Sequence, residues 1–385
     1  MTAPPNKGPQ VKGWCPGALR PMMSGDGLLV RVKPWMGRLS RDQVLGLCDI
    51  ADQFGNGTID VTSRANLQIR GVAHHGLVVA ALRELDLVDQ NLEIEAKRNI
   101  TVSPDWIAGD ETCKLYDAIT DRISDWPDLP NKMGIAIDPK GWLHDVSADF
   151  RFERSIHGGL MLRADGADSG VVVTLETAAD QLIDLMQWFV DTGGTEAGRM
   201  RRHLKHTCLP NSFQKMRPAT VRKTRSPNWL GTKLGLMSVV FGQMQSNDLR
   251  VCFPCHPNGP LGLRTTPWGQ IVFEEDYYFG YMNTDGFSVE PDDPLLLIKA
   301  CPGAPGCSQA YGNTRDLAHK IAPHITGPTH ISGCAKGCAC PKDAPLTITA
   351  TPDGYALARD AAPWDTADRT GLSAQDIIED LNHAL

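Results

Sequence analysis

Five cysteines fall within forty residues near the C-terminal end of this 385-residue chain, and they constrain its fold more than any other feature. The local text is CPGAPGC and then HISGCAKGCAC, which gives C-x5-C, a gap of 26 residues and C-x3-C. Surrounding glycines and prolines let the backbone wrap a bulky inorganic core, and four thiolates are what an iron–sulfur cube needs. A structural zinc site is the alternative, although zinc ribbons usually space paired ligands by two to four residues. The pattern therefore favours a 4Fe-4S cluster over zinc.

The other six cysteines are scattered through the chain. The opening residues, MTAPPNKGPQVKGW, contain no apolar leader segment, so we expect a cytoplasmic protein whose thiols stay reduced. Cys48 lies on the apolar face of a predicted helix, where a free cysteine usually serves as a small core residue. Cys252, Cys255 and His256 match the C-x-x-C-H signature of covalent haem attachment. That attachment is made outside the cytosol, so we favour a loop with two free thiols and keep redox or metal use as the alternative.

Composition and charge exclude several classes of partner. The chain is 42% hydrophobic and 22% charged, which allows a sizeable core. Its net charge of −7 offers nucleic acid no bulk electrostatic attraction. No apolar run approaches the roughly 18 residues of a membrane span. Neither a G-x-G-x-x-G motif after a strand nor a P-loop is present, so direct NAD(P)H binding is not expected.

Two stretches of the sequence follow the same order of elements. Ser40 and Gln43 form a capping box that begins a helix ended by Gly55, and a second helix is predicted at 76–87. With predicted strands before and between them, this order is that of a ferredoxin-like half-unit. A similar unit recurs further on, where Gln270 aligns with Gln68 at an offset of 202 residues. The first unit has predicted strands at 28–33, 58–62 and 66–70, and the second at 234–241, 261–266 and 270–274.

We therefore predict an α+β fold of two pseudo-repeated halves. Each half contains a ferredoxin-like half-domain and a larger α/β domain. The predicted parts are a first half-domain at 20–75, a first α/β domain at 90–195, a basic linker at 196–232, a second half-domain at 233–285, a 4Fe-4S cluster domain at 290–362 and a C-terminal helix at 363–385.

The predicted linker is basic although the chain is acidic. Residues 199–225 carry nine Lys or Arg side chains, and no Asp or Glu occurs between Ala197 and Asn247. A solvated linker and a clamp for a polyanionic ligand both fit this composition.

These motifs together resemble the siroheme-dependent sulfite and nitrite reductases over nearly the whole chain, from about residue 22 to residue 360. The resemblance implies that both halves have the nitrite/sulfite reductase fold and that Cys301, Cys307, Cys334 and Cys338 bind the cluster. Within this superfamily, the texts KGWCPGALRPMMSGDGLLVRVKP and SGCAKGCACP are most similar to the branch of precorrin-3B synthases. These are oxygen-dependent enzymes of aerobic cobalamin synthesis.

The resemblance also assigns expected roles to basic and polar residues around a tetrapyrrole. Arg64 and Gln68 match the Thr-x-Arg-x-x-x-Gln pattern of the reductases, and Arg98, before Asn99, matches an arginine above the macrocycle. Lys132 lies in a segment similar to the reductase pattern Leu-Pro-Arg-Lys-Phe-Lys, and it matches the first lysine of that pattern. The expected catalytic residues are Arg98 and Lys132, and the expected substrate-binding residues are Arg31, Lys33, Arg64, Gln68 and Arg264.

The chain departs from the reductase pattern at two positions. Asn131 stands in place of Arg and Gly134 in place of the second Lys. In the reductases, several cations surround the small anion that is reduced, and the loss of one of them weakens the case for reducing sulfite or nitrite. The remaining cations suit a tetrapyrrole with a rim of carboxylates. We therefore expect the pocket to hold precorrin-3A in place of siroheme. Siroheme-dependent reduction is the alternative, and a non-catalytic electron carrier or tetrapyrrole-binding protein is a third possibility from another class.

The expected reaction follows from the resemblance. Precorrin-3A would be hydroxylated at C20 by O2, and the ring A acetate would close a γ-lactone. Because the second oxygen atom leaves as water, an external donor such as a ferredoxin or an NAD(P)H-dependent reductase must supply two electrons. The resemblance also implies a mononuclear non-haem iron, whose ligands the sequence does not identify. Candidates for those ligands are His144 with Asp145, His157, His203 and His206.

Overall fold

A computed structural model describes residues 16–219, 234–254, 260–274, 286–290 and 292–383. Cys15, Cys255 and His256 lie outside these ranges. The strands in chain order are β1 (Met22–Ser24), β2 (Gly27–Val32), β3 (Arg38–Ser40), β4 (Thr58–Val61), β5 (Leu67–Val72), β6 (Ile100–Val102), β7 (Ile135–Ile137), β8 (Phe150–Arg154), β9 (Leu160–Ala164), β10 (Val171–Val172), β11 (Leu234–Val239), β12 (Gln243–Gln245), β13 (Gly262–Thr265), β14 (Gln270–Glu274), β15 (Phe287–Ser288), β16 (Ile298–Ala300), β17 (Thr329–Ser332), β18 (Ala344–Thr351), β19 (Gly354–Ala361) and β20 (Arg369–Leu372).

The helices lie between these strands, and short 3-10 turns connect several of them. The helices are α1 (Arg41–Phe54), α2 (His75–Glu84), α3 (Leu92–Lys97), α4 (Glu111–Thr120), α5 (Leu175–Asp191), α6 (Gly194–Ala197), α7 (Met200–His203), α8 (Ser246–Val251), α9 (Thr314–Ile321) and α10 (Ala374–His383). Within the described ranges, no helix is long and apolar enough to cross a membrane.

The first half-domain is built on the sheet β1-β2-β5-β4-β12. The predicted capping box at Ser40 and Gln43 begins α1, and the backbone N–H of Gly55 ends it by donating to Ala51. Apolar side chains on one face of this sheet, among them Val30 and Ile69, form a core with α1 and α2. The polar side chains that alternate with them are left to the opposite face.

The second half-domain repeats this arrangement in the sheet β15-β11-β14-β13-β3. The pairing of β13 with β14 matches that of β4 with β5 at an offset of 204 residues, because Thr265 faces Ile271 as Val61 faces Leu67. The repeat is therefore present, but the predicted offset of 202 is wrong by two residues. The match of Gln270 to Gln68 is a match of side chains only, whereas the backbone pairing within the hairpin determines the true offset.

The two half-domain sheets exchange one strand each. β12 comes from the second half and pairs with β4, whereas β3 comes from the first half and pairs with β13. Each exchanged strand follows a tight turn that contains a residue with positive φ, Met36 in one half and Phe241 in the other. The half-domains thus share edges in addition to packing together.

The two larger domains are also a repeat. The sheets are β10-β9-β8-β7-β6 and β16-β17-β18-β19-β20, and in each sheet three parallel strands are followed by antiparallel ones. A helix lies between the first two parallel strands in both, α4 in one and α9 in the other. The predicted α+β fold of two similar halves is confirmed.

The predicted boundary between the cluster domain and the C-terminal helix, at residue 362, differs from the packing. β20 pairs with β19, and Ile377 and Leu381 of α10 share a core with Ile298. Residues beyond 362 therefore pack as part of the cluster domain, because that sheet needs α10 to cover its apolar face.

The part of the predicted basic linker that the structure describes, up to residue 219, packs on the first α/β domain. Met200 and Phe213 enter its core. Arg199 pairs with Asp149 at 2.9 Å, and Arg201 pairs with Asp165 at 3.1 Å. These two arginines balance carboxylates of the first α/β domain, so they are not part of a free linker, whereas Arg202, Lys205, Lys215 and Arg217 are exposed. Residues 220–232 lie outside the described ranges.

Candidate active site

The four predicted cluster cysteines lie on loops that leave two neighbouring parallel strands. Cys301 follows β16, and Cys334 follows β17 by two residues. Because parallel strands end at the same edge of a sheet, both cysteine loops begin there. The backbone N–H of Cys301 donates to the Ile331 carbonyl at 3.3 Å. The backbone N–H of Gly333 donates to Cys301 Sγ at 3.1 Å. The sheet edge therefore brings the two cysteine pairs together.

The four thiols lie within electrostatic reach of one another. Burial raises the pKa of the Cys334 thiol, and repulsion from the thiolates of Cys307 and Cys301 raises it further. Burial likewise raises the pKa of the Cys338 thiol, with contributions from the other three thiolates. The nine cysteines in the described ranges are free thiols. Four mutually repelling thiols need a cation or a metal group to be ionised together.

The arrangement of the thiols can be tested against the two metal groups considered above. A zinc ion needs its sulfur ligands at about 2.3 Å from one point. Within the described ranges, no three His, Cys, Asp or Glu side chains converge closely enough to hold one ion. A 4Fe-4S cube spreads its ligands, because each iron takes one thiolate. The donor chemistry of four thiols and their C-x5-C and C-x3-C spacing in the sequence fit such a cube.

Space is available beside the thiols. A cavity of about 500 Å³ is lined by Tyr311, Cys334, Thr347 and Thr349, together with alanines of β19. Helices α9 and α10 cover the apolar side of this sheet, which carries Ile331. Thr347 and Thr349 alternate with the apolar residues of β18, so the cavity lies on the side away from those helices.

The polar face of the first half-domain sheet carries two of the predicted tetrapyrrole-binding residues. Arg31 and Gln68 are paired across β2 and β5, and the Arg31 guanidinium donates to Gln68 Oε1 at 2.8 Å. Two residues further along β5, Arg70 lies on the same face and donates to the Gly306 carbonyl at 2.8 Å. Gly306 precedes the cluster cysteine Cys307. One sheet face thus contacts the cysteine loop and holds the expected substrate-binding pair.

Lys33 is the centre of a group of cations. Burial lowers the pKa of its ammonium group to about 8, although Glu95 opposes the shift. Arg98, Arg31 and Arg64 lower this pKa further, so all three guanidinium groups lie within electrostatic reach of one ammonium. The structure therefore brings together four of the predicted site residues.

Arg98 is held in place by protein groups. Its Nη1 donates to Glu95 Oε2 at 2.5 Å, its Nη2 donates to the Lys33 carbonyl, and its guanidinium lies 3.4 Å from the centre of the Trp35 ring. Only 4% of Arg98 is exposed. In this arrangement Arg98 orients Lys33, and its predicted contact with a macrocycle stays a prediction.

Lys132 joins the same region through its backbone. Arg64 Nη2 donates to the Lys132 carbonyl at 2.7 Å, and the Lys132 side chain is half-buried. At Gly134, where the reductases carry a second Lys, an added Cβ would lie 3.0 Å from Asn99 Nδ2. Asn99 in turn donates to the Met133 carbonyl. A side chain at position 134 would require Asn99 to shift by a few tenths of an ångström, so the close contact with Asn99 favours glycine at this position.

Arg264 is predicted to bind substrate, but its observed contacts hold domains together. Its Nη1 donates to the carbonyls of Pro104 and Trp106 at 2.9 and 2.6 Å, and its Nε donates to Glu274 at 3.0 Å. The guanidinium also lies over the Trp106 ring at 3.8 Å. These contacts join the second half-domain to the first α/β domain. Substrate binding by Arg264 stays a prediction without support from this geometry.

The histidines considered as ligands of a mononuclear iron are not assembled in the structure. His203 is buried, contacts Thr192 Oγ1 at 2.7 Å and packs against Trp188 and Phe189, as a core histidine does. The other candidates, His144, Asp145, His157 and His206, are exposed. Because no group of three ligands converges within the described ranges, the residues present there do not fit a mononuclear iron.

Other cysteines are accounted for by packing. Cys48 is a buried core residue, as predicted, and burial raises the pKa of its thiol to about 12. Cys252 is also buried at the end of α8, where its Sγ donates to the Asp248 carbonyl at 3.4 Å. Cys340 is free and only 4% exposed.

Several functional residues were not identified from the sequence. Glu95 is 3% exposed and holds Arg98, and nothing in its local sequence marks it. Arg70 could have been found, because it follows Gln68 by two residues on a strand and so shares its face. Arg315 follows Thr314, whose Oγ1 donates to the Cys301 carbonyl at 2.5 Å. The contacts of Glu95 and Arg315 depend on chain segments brought together by folding.

Comparisons with known proteins agree with this geometry. Residues 20–85 match the nitrite/sulfite reductase ferredoxin-like half domain. The chain is 29% identical to precorrin-3B synthase from Sinorhizobium sp, in an alignment that covers 94% of this chain and 87% of that protein. Its fold is similar to that of the NirA protein of Mycobacterium tuberculosis, with a TM-score of 0.61 and 17% identity over 91% of this chain and 79% of that chain. The predicted resemblance and the predicted fold type are confirmed.

Proposed function

We propose that this chain, with its nitrite/sulfite reductase fold and its resemblance to precorrin-3B synthase, is an oxidoreductase of aerobic cobalamin synthesis. It would convert precorrin-3A to precorrin-3B by C20 hydroxylation and closure of the ring A acetate γ-lactone. The observation that supports this most is the shared face of the first half-domain sheet, where Arg31 and Gln68 lie two residues from the contact of Arg70 with the cysteine loop. A carboxylate-rich macrocycle bound there would lie beside the cluster ligands.

The cations of the site would bind and orient the substrate. Arg31 and Arg64 are each close enough to Lys33 to lower its pKa, so the three cations would form a rim for several carboxylates. Each hydrogen bond to a charged group contributes about 1.5–3 kcal/mol, and guanidinium forks meet carboxylates with two parallel bonds. Arg98 would act on the substrate indirectly, since it holds the Lys33 carbonyl and fixes the position of the ammonium group.

Cys301, Cys307, Cys334 and Cys338 would hold the 4Fe-4S cluster. When bound, such a cluster supplies electrons one at a time. Insertion of one oxygen atom from O2, with release of the other as water, needs two electrons from outside the substrate. A ferredoxin or an NAD(P)H-dependent reductase is the proposed donor. A role for mononuclear iron is not included, because the described residues do not fit it. The cytoplasmic location remains a prediction.

Siroheme-dependent reduction of sulfite or nitrite is the competing function. Gly134 argues against it, since the second lysine of the reductases is missing there and an added Cβ would lie only 3.0 Å from Asn99 Nδ2. Loss of that cation leaves less positive charge around a small anion.

The proposed function can be tested by turnover. Chain purified without air would be mixed with precorrin-3A, isotopically labelled O2 and a reduced ferredoxin system, and the product would be analysed by mass spectrometry. We expect a product that contains one labelled oxygen atom and a γ-lactone. Binding of precorrin-3A without oxygen uptake would support a tetrapyrrole-binding protein instead, and reduction of sulfite or nitrite by a siroheme-containing preparation would support the reductase.

A further inference from the structure

The loop between Cys301 and Cys307 docks on a buried group of charges. Arg70 pairs with Asp26 at 2.8 Å and with Asp60 at 2.9 Å, and it also donates to the Gly306 carbonyl. The same carbonyl accepts a hydrogen bond from Ser24 Oγ at 2.8 Å. Two carboxylates therefore balance the charge of Arg70 where it holds the cysteine loop.

Arg315 is the second cation of this group. It is the second residue of α9, directly after Thr314, whose hydroxyl donates to the carbonyl of Cys301 at 2.5 Å. Its electrostatic neighbours are Asp60, Arg70, Cys301 and Asp26, so it lies within electrostatic reach of both the charged group and the first cluster cysteine. Its neighbour Thr314 anchors this end of α9 to the start of the cysteine loop.

The two arginines differ in how their charges are balanced. Arg315 forms no ion pair with any residue in the part of the chain that the structure describes, and its Nε is buried without a hydrogen-bond partner. Buried donors in native proteins nearly always have a partner. Asp26 and Asp60 are already bonded to Arg70. Among the described electrostatic neighbours of Arg315, Cys301 is therefore the acidic group that no other cation is bonded to.

We propose that Arg315 supplies this positive charge to the 4Fe-4S cluster and thereby sets its reduction potential. The inference rests on the proposed cluster, whose four thiolates give it a net negative charge. Reduction adds one further negative charge, so a buried cation beside Cys301 stabilises the reduced cluster more than the oxidised one. The Arg315 side chain is a determinant of how readily the cluster accepts an electron from the external donor.

The test is a mediated redox titration of the purified chain with dithionite, followed by EPR spectroscopy. In Arg315→Met we expect the midpoint potential to fall, so that at the wild-type midpoint the ratio of reduced to oxidised cluster drops about tenfold, which equals about 59 mV for one electron. Arg315→Lys keeps the charge and should restore most of the potential. Lys320→Met, which removes an exposed cation from the same helix, should leave it unchanged.

The outcomes separate this inference from the proposed function. A wild-type chain without iron and sulfide overturns both. A wild-type cluster whose midpoint is the same in Arg315→Met, or rises, overturns the role of Arg315 alone. If Arg315→Met does not retain the cluster, the iron and sulfide contents of Arg315→Lys decide: retention supports a role for the charge, and loss overturns it.

Discussion

Lys33 is a buried cation of the candidate site whose pKa lies close to neutral pH. Burial lowers its pKa to about 8, while Arg98, Arg31 and Arg64 add repulsion. Below that pKa the ammonium completes the cationic rim, and above it the charge is lost. The folded protein therefore has one less cation for a carboxylate ligand on the alkaline side.

We expect the affinity for a carboxylate-rich porphyrin to fall by about tenfold as pH rises through 8, since a hydrogen bond to a charged group contributes about 1.5–3 kcal/mol. Lys33→Met should bind weakly at all pH values and lose this dependence. Fluorescence titration of the porphyrin between pH 6.5 and pH 9.5 (about 1.5 units on either side of the midpoint) measures the effect. Lys114→Met, which removes an exposed lysine of α4, is the control. If the porphyrin affinity of Lys33→Met fell with rising pH as steeply as that of the wild type, this role would be contradicted.

Glu95 is the carboxylate that balances the buried cations. Its Oε2 accepts from Arg98 at 2.5 Å, and its Oε1 lies 3.8 Å from Lys33 Nζ. Removal of one partner from a buried ion pair costs about 3–5 kcal/mol because the other charge stays buried. Glu95→Gln should therefore lower the free energy of unfolding by about 3 kcal/mol.

Urea unfolding followed by circular dichroism measures this change. Glu93→Gln, an exposed position on the same helix, should stay within about 0.5 kcal/mol of the wild type. If Glu95→Gln were as stable as Glu93→Gln, the buried network would not be organised by this carboxylate.

At the scale of elements, the ends of β16 and β17 decide which cysteines meet. Both strands are parallel and adjacent, so Cys301 and Cys334 leave the same sheet edge. The corresponding loops of the first α/β domain carry carboxylates instead: Asp138 follows β7 and accepts from the backbone N–H groups of Trp142 and Leu143 at 2.8 and 2.6 Å. The repeated architecture thus builds a hydrogen-bonded loop in one half and a thiol site in the other.

Substitution of single cysteines tests this placement. Cys334→Ala should abolish the EPR signal of the reduced cluster, because one iron would lose its thiolate. Cys340→Ala should keep the signal, since Cys340 lies outside the four-cysteine pattern. Cys340 is buried and follows Cys338 by only two residues, so it is a close control. Iron and sulfide contents of both variants provide the comparison. An unchanged signal in Cys334→Ala would remove Cys334 from the ligand set.

Elements with strong local signals could be predicted from the sequence. The capping box of α1 and the alternation in β2 depend on neighbouring residues, so their positions are correct to within a residue or two. The exchange of β3 and β12 could not be predicted, because each strand is short and pairs with a partner more than 180 residues away. The offset of 204 was missed for a similar reason: hairpin register is set by paired backbones, and side-chain identity does not reveal it.

At the scale of the whole molecule, the sequence identified the cysteines and most of the cations, and folding determined what each one contacts. Arg31, Lys33, Arg64 and Arg98 do lie close together. Arg264 faces other domains, and Arg98 is enclosed by Glu95, Lys33 and Trp35. A motif specifies a residue type at a position, whereas a contact also depends on chain segments distant in sequence.

The half-domain repeat also reverses one ion pair. Asp60 and Arg70 form a diagonal ion pair between β4 and β5, where Asp60 lies opposite Gln68. At the same positions of the second repeat, 204 residues later, Arg264 forms the diagonal pair with Glu274 and lies opposite Val272. Both pairs stabilise the same hairpin geometry. Only the first orientation places an arginine on β5, where it reaches Gly306 of the cysteine loop. The two halves therefore differ in which strand of the hairpin carries the arginine, and only the first half uses that arginine to hold the cysteine loop.

In the proposed function, the four C-terminal thiols hold an iron cube beside a pocket for a free tetrapyrrole substrate. Quantitative iron and acid-labile sulfide analysis, combined with an optical spectrum of chain purified without air, tests it most directly. We predict about four irons and about four sulfides per chain, with broad iron–sulfur absorption and no siroheme band. A preparation that lacks inorganic sulfide, or one that carries stoichiometric siroheme, would contradict the claim.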